Sequence, residues 1–193
     1  VSYRQLLTSG TGGMQAMQLT DLLPLGKWVE IEKEIHRRSG LDASVFDTKG
    51  YRITGYQKWA NRFCPAIKAN DKGQSYICAV ANMNVASQAQ QTRKPVVEEC
   101  DAGLVKACVP IIVRDEYIGT LCGCGRIRDG GEVEIFLVNK ITGIDEQVLE
   151  TLIEDVPSIS TEEIQKIVLY MSNVIDEAVD SYENQGTKKE NVS

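Results

Sequence analysis

Hydrophobic and polar positions change period several times along the chain. From Leu25 the apolar residues Leu25, Trp28, Ile31 and Ile35 recur every three or four positions, with Glu30, Glu32, Lys33, Arg37 and Arg38 on the other side, until Gly40 ends the pattern. That spacing predicts one amphipathic helix closed by a glycine. Residues 43–47 and 51–54 then read as two short strands around Thr48-Lys49-Gly50, a helix followed by a hairpin. A short helix-like run after Trp59, Phe63, Cys64 and Pro65 breaks at Asp71-Lys72-Gly73, and residues 74–91, rich in Ala, Gln and Asn, predict a second helix carrying Cys78. Pro95 stops it, and residues 96–100 return to extended structure.

The most strongly apolar stretch lies between Cys100 and Ile127. Residues 107–113 and 117–124 read as two strands joined through Arg114, Asp115 and Glu116, the centre of a sheet. Gly119, Gly123 and Gly125 strip side chains from the second strand, so a ligand or a packed helix can approach its backbone. Beyond the turn at Asp129-Gly130-Gly131, residues 132–142 are ambiguous between strand and helix, and residues 146–154 predict a short helix. Ser160 and Glu163 form a capping box before the longest helix, whose apolar positions Ile164, Val168, Met171, Ile175, Ala178 and Tyr182 alternate in steps of four and three. Such a stripe serves a helix laid across a sheet, or one that also pairs with its copy in a homodimer. Together these elements predict an α/β (α+β) fold: a central antiparallel sheet of about five strands, with the first helix and residues 161–183 on one face and residues 59–91 covering the other.

Composition narrows the function classes. At 193 residues and 42% hydrophobic, the chain has material for one domain with a full core. Its formal charge of -6 argues against nucleic acid or an anionic membrane as a direct partner. Without a run of about 20 apolar residues or a secretory leader, the expected setting is cytoplasmic. Residues 1–18 read as a flexible leader and residues 185–193 as a flexible tail. An enzyme ranks last among the classes. The single histidine, His36, lies on a helix flank far in sequence from any cysteine, and there is no phosphate-binding glycine loop and no His-Glu-x-x-His.

Phe63-Cys64, the segment from Gly73 to Cys78, and Cys100-Asp101-Ala102-Gly103-Leu104 followed by Val109-Pro110-Ile111 and Ile118-Gly119 resemble the PocR-type sensory domain. Gly143-Ile144-Asp145, Val156-Pro157 and the terminal helix fall where that family has comparable features. The resemblance spans roughly residues 19–182, within a domain drawn at 19–184. It implies a PAS-like or GAF-like ligand-binding module attached to histidine kinases, chemoreceptors or DNA-binding regulators, sensing simple alcohol or hydrocarbon derivatives such as propanediol. The family's recurrent cysteines match Cys64, Cys78 and Cys100. Cys108, Cys122 and Cys124 lie outside that pattern, and Asp101 stands where the family often has His.

The six cysteines leave two inputs open. Cytosolic thiols are kept reduced, so a disulfide framework is not expected, and the gaps match no zinc ribbon or finger. In one reading a small organic ligand occupies a pocket lined by Val45, Trp59, Phe63 and the central hairpin, with Cys64, Cys78, Cys100, Cys122 and Cys124 at or near it. In the other, Cys64, Cys78, Cys100, Cys122 and Cys124 ligate a metal or an iron–sulfur cluster. Cys122 and Cys124 share one face of their strand. Cys108 faces away from them if the hairpin loop has two residues and joins them if it has three.

Overall fold

A computed structural model describes residues 16–190 of the chain, with side chains as far as residue 185; most of the expected leader and the last residues of the tail lie outside that range. The helices are α1 Leu19–Leu22, α2 Leu25–Ser39, α3 Phe63–Ala69, α4 Asp71–Gly73, α5 Val80–Thr92, α6 Ile135–Thr142, α7 Glu146–Ile153 and α8 Thr161–Glu190, with a π-helical turn, Gln74–Ala79, leading into α5. The strands are β1 Asp42–Asp47, β2 Val96–Glu99, β3 Val105–Val113, β4 Glu116–Arg128 and β5 Ser158–Ile159. Four of them form an antiparallel sheet in the order β1-β4-β3-β2, and β5 runs parallel to the end of β4. Among the described residues no helix is long and apolar enough to cross a membrane.

Local chemistry sets the helix ends where the sequence put them. Gly40 takes a φ of 67 after α2, and its N–H donates to the His36 carbonyl at 2.7 Å, closing the last turn in a left-handed conformation that suits glycine. Ser160 and Glu163 cap α8 reciprocally: the Ser160 hydroxyl accepts from the Glu163 N–H at 3.1 Å while the Glu163 carboxylate accepts from the Ser160 N–H at 2.8 Å. The expected break at Asp71-Lys72-Gly73 is instead a capped restart, because the Asn70 side chain accepts from the Lys72 and Gly73 N–H groups, both at 3.0 Å.

Helices α2 and α8 lie on one face of the sheet over the main core, where Trp28, Ile35, Val45, Val109, Leu121, Ile164, Met171 and Ile175 are buried together. The whole terminal stripe, including Val168, Ala178 and Tyr182, packs against that core. Its alternation is therefore satisfied within the chain, and a homodimer along α8 has only the outward side, where Leu169 is 62% exposed. The helix also continues past residue 185, where the tail was expected to begin.

Two further expectations need correction. The second strand of the early hairpin shrinks to a single bridge between Phe46 and Arg52. Past that point the chain is drawn away by side chains: Thr54 donates its hydroxyl to the Glu32 carboxylate at 2.7 Å, and Arg52 donates to the Ala43 carbonyl at 2.7 Å. Glu32, placed on the polar side of α2 by its periodicity, is in fact fully buried. It also accepts from the Val45 N–H at 3.1 Å and lies 3.8 Å from Arg52, so a carboxylate joins α2 to β1 and to the segment after it.

Burial is the largest influence on Glu32 and raises its pKa, against the Thr54 hydrogen bond and the Arg52 charge, which lower it. Such a group binds its proton more readily folded than unfolded. Its contribution is fully present below the ordinary carboxylate pKa and is lost as pH rises through the raised folded value. Asp42, also raised chiefly by burial, acts in the same direction. Urea unfolding near pH 4 and near pH 7.5 is expected to show Glu32→Gln gaining stability relative to the wild type at the higher pH; an unchanged difference between the two proteins would show that Glu32 does not titrate in this window.

Candidate functional site

The hairpin between β3 and β4 decides which residues face the helical cover. Its loop is the two residues Arg114 and Asp115, both with positive φ (47 and 65), and Val113 pairs with Glu116. That is the hairpin turn whose twist matches the strands. Continued without interruption, it would set Cys108 on the face opposite Cys122. A bulge prevents this. Ile112 pairs with Tyr117 but Ile111 pairs with Gly119, so Ile118 is an extra residue, and beyond it Cys108 lies directly across from Cys122. A second bulge at Gly125 shifts the register again, since Lys106 pairs with Cys124 and Val105 with Arg126.

Cys108, Cys122 and Cys124 therefore share one face, but not one role. Cys108 and Cys122 are joined in a disulfide with a Cα–Cα distance of 4.1 Å, fully buried beneath Val85 of α5. This corrects two expectations: a disulfide is present, and Cys122 has no thiol to offer a metal or ligand. The remaining cysteines, Cys64, Cys78, Cys100 and Cys124, are free.

All four free cysteines line a single cavity of about 290 Å³ between the sheet and its cover. They arrive on four different elements: Cys64 on α3, Cys78 on the π-helical turn, Cys100 at the end of β2 and Cys124 on β4. The sheet contributes Asp42, Ser44, Phe46, Lys106 and Cys124 to the floor, and Trp59, Ile67, Lys68, Ile77, Asn82 and Met83 belong to the cover. Across the strands, Asp42, Cys124 and Lys106 form one row. Phe46 stands four residues along β1, about 13 Å away at the rise of a strand. The cavity thus has a thiol end and an aromatic end. Of the residues expected at the site, Trp59 lines the cavity, Phe63 packs in the small core behind α3, and Val45 points to the opposite face, under α2.

Close approach at the thiol end depends on Gly125. Its φ is 101, its carbonyl accepts from the Asn61 amide, and a Cβ there would meet the Ala60 Cβ at 2.9 Å and the Cys64 Sγ at 3.6 Å. Asn61 also orients Cys64, accepting from its N–H at 2.7 Å and placing its amide nitrogen 3.4 Å from the sulfur. Cys100 sits in a tight turn in which its N–H donates to the Leu104 carbonyl at 2.8 Å and its carbonyl accepts from the Gly103 N–H at 2.8 Å.

Electrostatics make the cavity a dry place for four thiols. Burial, the largest influence, pushes every one of them up, Cys78 to about 11. Cys64 feels the charge of Cys124, Cys100 and Cys78; Cys78 feels Cys124 and Cys100; Cys124 feels Cys100. Each thiol therefore stands within electrostatic reach of the other three. Lys106 opposes the upward shift at Cys78, Cys100 and Cys124, and Lys68 does so at Cys78 and Cys124. Without a cation all four are protonated at neutral pH and are poor nucleophiles. Among the described residues no three His, Cys, Asp or Glu side chains are gathered closely enough to hold a metal ion.

Sequence reasoning did not pick out the polar residues of the cavity. Lys106 is 7% exposed and makes no hydrogen bond or ion pair among the described residues; its ammonium lies 5.8 Å from the Phe46 ring. Asp42 Oδ1 and Asn82 Oδ1 are buried without a hydrogen-bond partner. A lysine inside the otherwise apolar run 105–113 was the available signal, because a charge seldom enters a central strand without a function.

A family model described as a sensory domain found in PocR matches residues 21–182. Comparison with curated proteins and with solved structures gave no match.

Gly125→Ala forces a side chain into a positive φ and against Ala60. It is expected to cost more than about 1 kcal/mol in chemical denaturation and to displace α3 with Cys64. A stability equal to the wild type would mean that the backbone at Gly125 relaxes without strain.

Proposed function

The chain belongs to the PocR sensory-domain family, and on that premise we propose that it receives a small, weakly polar organic molecule, such as a short alcohol or diol, in the cavity between the sheet and the helical cover. The supporting observation is the cavity itself: mostly apolar walls from Phe46, Trp59, Ile67, Ile77 and Met83, with two polar lining residues, Asn82, whose Oδ1 is buried without a hydrogen-bond partner, and Asp42, whose Oδ1 has no hydrogen bond and lies 4.0 Å from Arg52. Mostly apolar pockets with a few fixed polar groups suit ligands of this kind. Unpaired buried acceptors favour a ligand that brings hydroxyl donors, since an unmade hydrogen bond there costs about 1–3 kcal/mol.

Transmission in this reading runs through the sheet. The strands β1, β3 and β4 carry the cavity on one face and pack α2 and α8 on the other, so a ligand that favours one arrangement of the floor also favours one seating of α8. Helix α8 then passes the change to an output module, a histidine kinase, a chemoreceptor or a DNA-binding regulator, in a soluble signalling setting. Equal affinity for two arrangements would transmit nothing, however tight the binding.

Thermal and urea unfolding with a panel of short alcohols, diols and carboxylates tests the reading. A true ligand at about 100 times its Kd stabilises by about 2.7 kcal/mol. Ala81→Phe, which places a ring in the cavity, is expected to remove that shift while leaving the fold intact. If no member of the panel stabilises the folded protein, the cavity is not an organic-ligand site.

A further inference from the structure

We infer that the thiol end of the cavity is the site of an iron–sulfur cluster ligated by Cys64, Cys78, Cys100 and Cys124. This goes beyond the organic-ligand reading and shares with it only the premise that the cavity is the input chamber. Four free cysteines from four separate elements line one cavity, each within electrostatic reach of the other three. Cys64, Cys78 and Cys100 also pack against the small core of Phe63, Ile67, Ile77 and Leu104, but packing alone does not call for four free thiols at one cavity wall.

The spacing speaks for a cluster rather than a single ion. Zinc bonds to sulfur at about 2.3 Å, which would draw four sulfurs to within roughly 4 Å of one another. The four thiols here surround a cavity and, among the described residues, do not close on a point. A polynuclear core interposes iron and sulfide between its cysteines and so fits ligands held apart around an open space.

Charge and local structure agree. Ligation replaces four S–H bonds by four Fe–S bonds and releases four protons to solvent, which a dry pocket permits only with nearby positive charge. Iron supplies most of it. A four-iron core with a double positive charge on four thiolates keeps two negative charges, and three lysines line the cavity against the one carboxylate of Asp42: Lys49, the buried Lys106, and Lys68, stacked 5.4 Å above the Trp59 ring. Hydrogen bonds to cluster sulfurs are prepared as well, by the Asn61 amide at Cys64 and by the backbone at Leu104 and Ala102 around Cys100. Cys78 reaches the cavity from the π-helical turn, a distortion that helices keep mainly at functional sites.

The test is anaerobic reconstitution of the chain with equal parts of ferrous and ferric iron and with sulfide, followed by iron and sulfide analysis, visible absorption and mass spectrometry after thiol alkylation. The expected result is iron and sulfide bound in equal amounts, about four of each per chain. A broad visible absorption should accompany them, bleaching on reduction, with Cys64, Cys78, Cys100 and Cys124 protected from alkylation. Cys100→Ser and Cys124→Ser are expected to lose most of the iron, and Cys108→Ser to keep it. Folded protein that binds no iron, or binds only zinc, would overturn the proposal; so would equal loss in Cys108→Ser and Cys100→Ser. Protection of the four thiols in the wild type answers the question even where a variant fails to fold. Thermal shifts with the organic panel on the cluster-free protein are read separately, so an absent cluster leaves the organic-ligand reading to stand or fall alone.

Discussion

The pairing of β3 with β4 is the constraint from which the rest follows. A two-residue turn fixes the start of the register, and one extra residue, Ile118, reverses the facing of everything beyond it. Without that bulge Cys122 and Cys124 would turn into the α2–α8 core and Leu121 toward the cavity, because β3 keeps Val105, Val109, Ile111 and Val113 on the core face along its whole length. With it, the sheet separates a dry face of Ala43, Val45, Ala107, Val109 and Leu121 from a reactive face of Asp42, Lys106, Cys108, Cys122 and Cys124. The Cys108–Cys122 bond ties the two strands just beside the row that holds Cys124 and Lys106. That row is held by covalent chemistry as well as by ladder hydrogen bonds.

The cover is made differently. Its helices before α5 are short, restarted at Asn70 and distorted at the π-helical turn, and it meets the floor in two ways, through Val85 of α5 packed on the disulfide and across the cavity. The part over the cavity can change its seating at lower free energy than the sheet beneath it, since local opening is easiest where few apolar contacts are shared. The rigid floor and the softer roof assign complementary tasks: one keeps the reacting groups in register, the other admits what they meet.

Local signals carried most of the helices and the central strands, but not the strand expected at 51–54 or the helical state of 135–142. Leu25–Ser39 and the capped start of α8 follow from periodicity, a glycine and a capping box, all written within a few residues. What escaped was non-local. Glu32 reads as a surface residue until Thr54, Val45 and Arg52 are brought around it. The stripe on α8 has the same spacing whether its partner is a sheet or a second helix, and only the sheet's position decides. Cys122 and Cys124 are equivalent by strand parity, yet one is spent in a disulfide and the other stands at the cavity, a distinction made by a bulge several residues away. Trp59, Cys64, Cys78, Cys100 and Cys124 were legible as candidates because thiols and aromatics are conspicuous; Asp42, Asn82 and Lys106 were not, because their place at the cavity depends on strand register and on the seating of α5.

The two bulges leave a simple arithmetic along the sheet. In β1, in β3 and in the part of β4 between its two bulges, even-numbered residues such as Asp42, Ser44, Phe46, Lys106 and Cys124 look toward the cavity, whereas Ala43, Val45, Val109, Ile111 and Leu121 look toward the α2–α8 core. Descendants of this chain can therefore diverge in what they detect by drift at even positions while purifying selection for foldedness acts on the odd ones. Two evolutionary pressures run down the same strands on alternate residues, and a sensor built this way can be retuned without being redesigned.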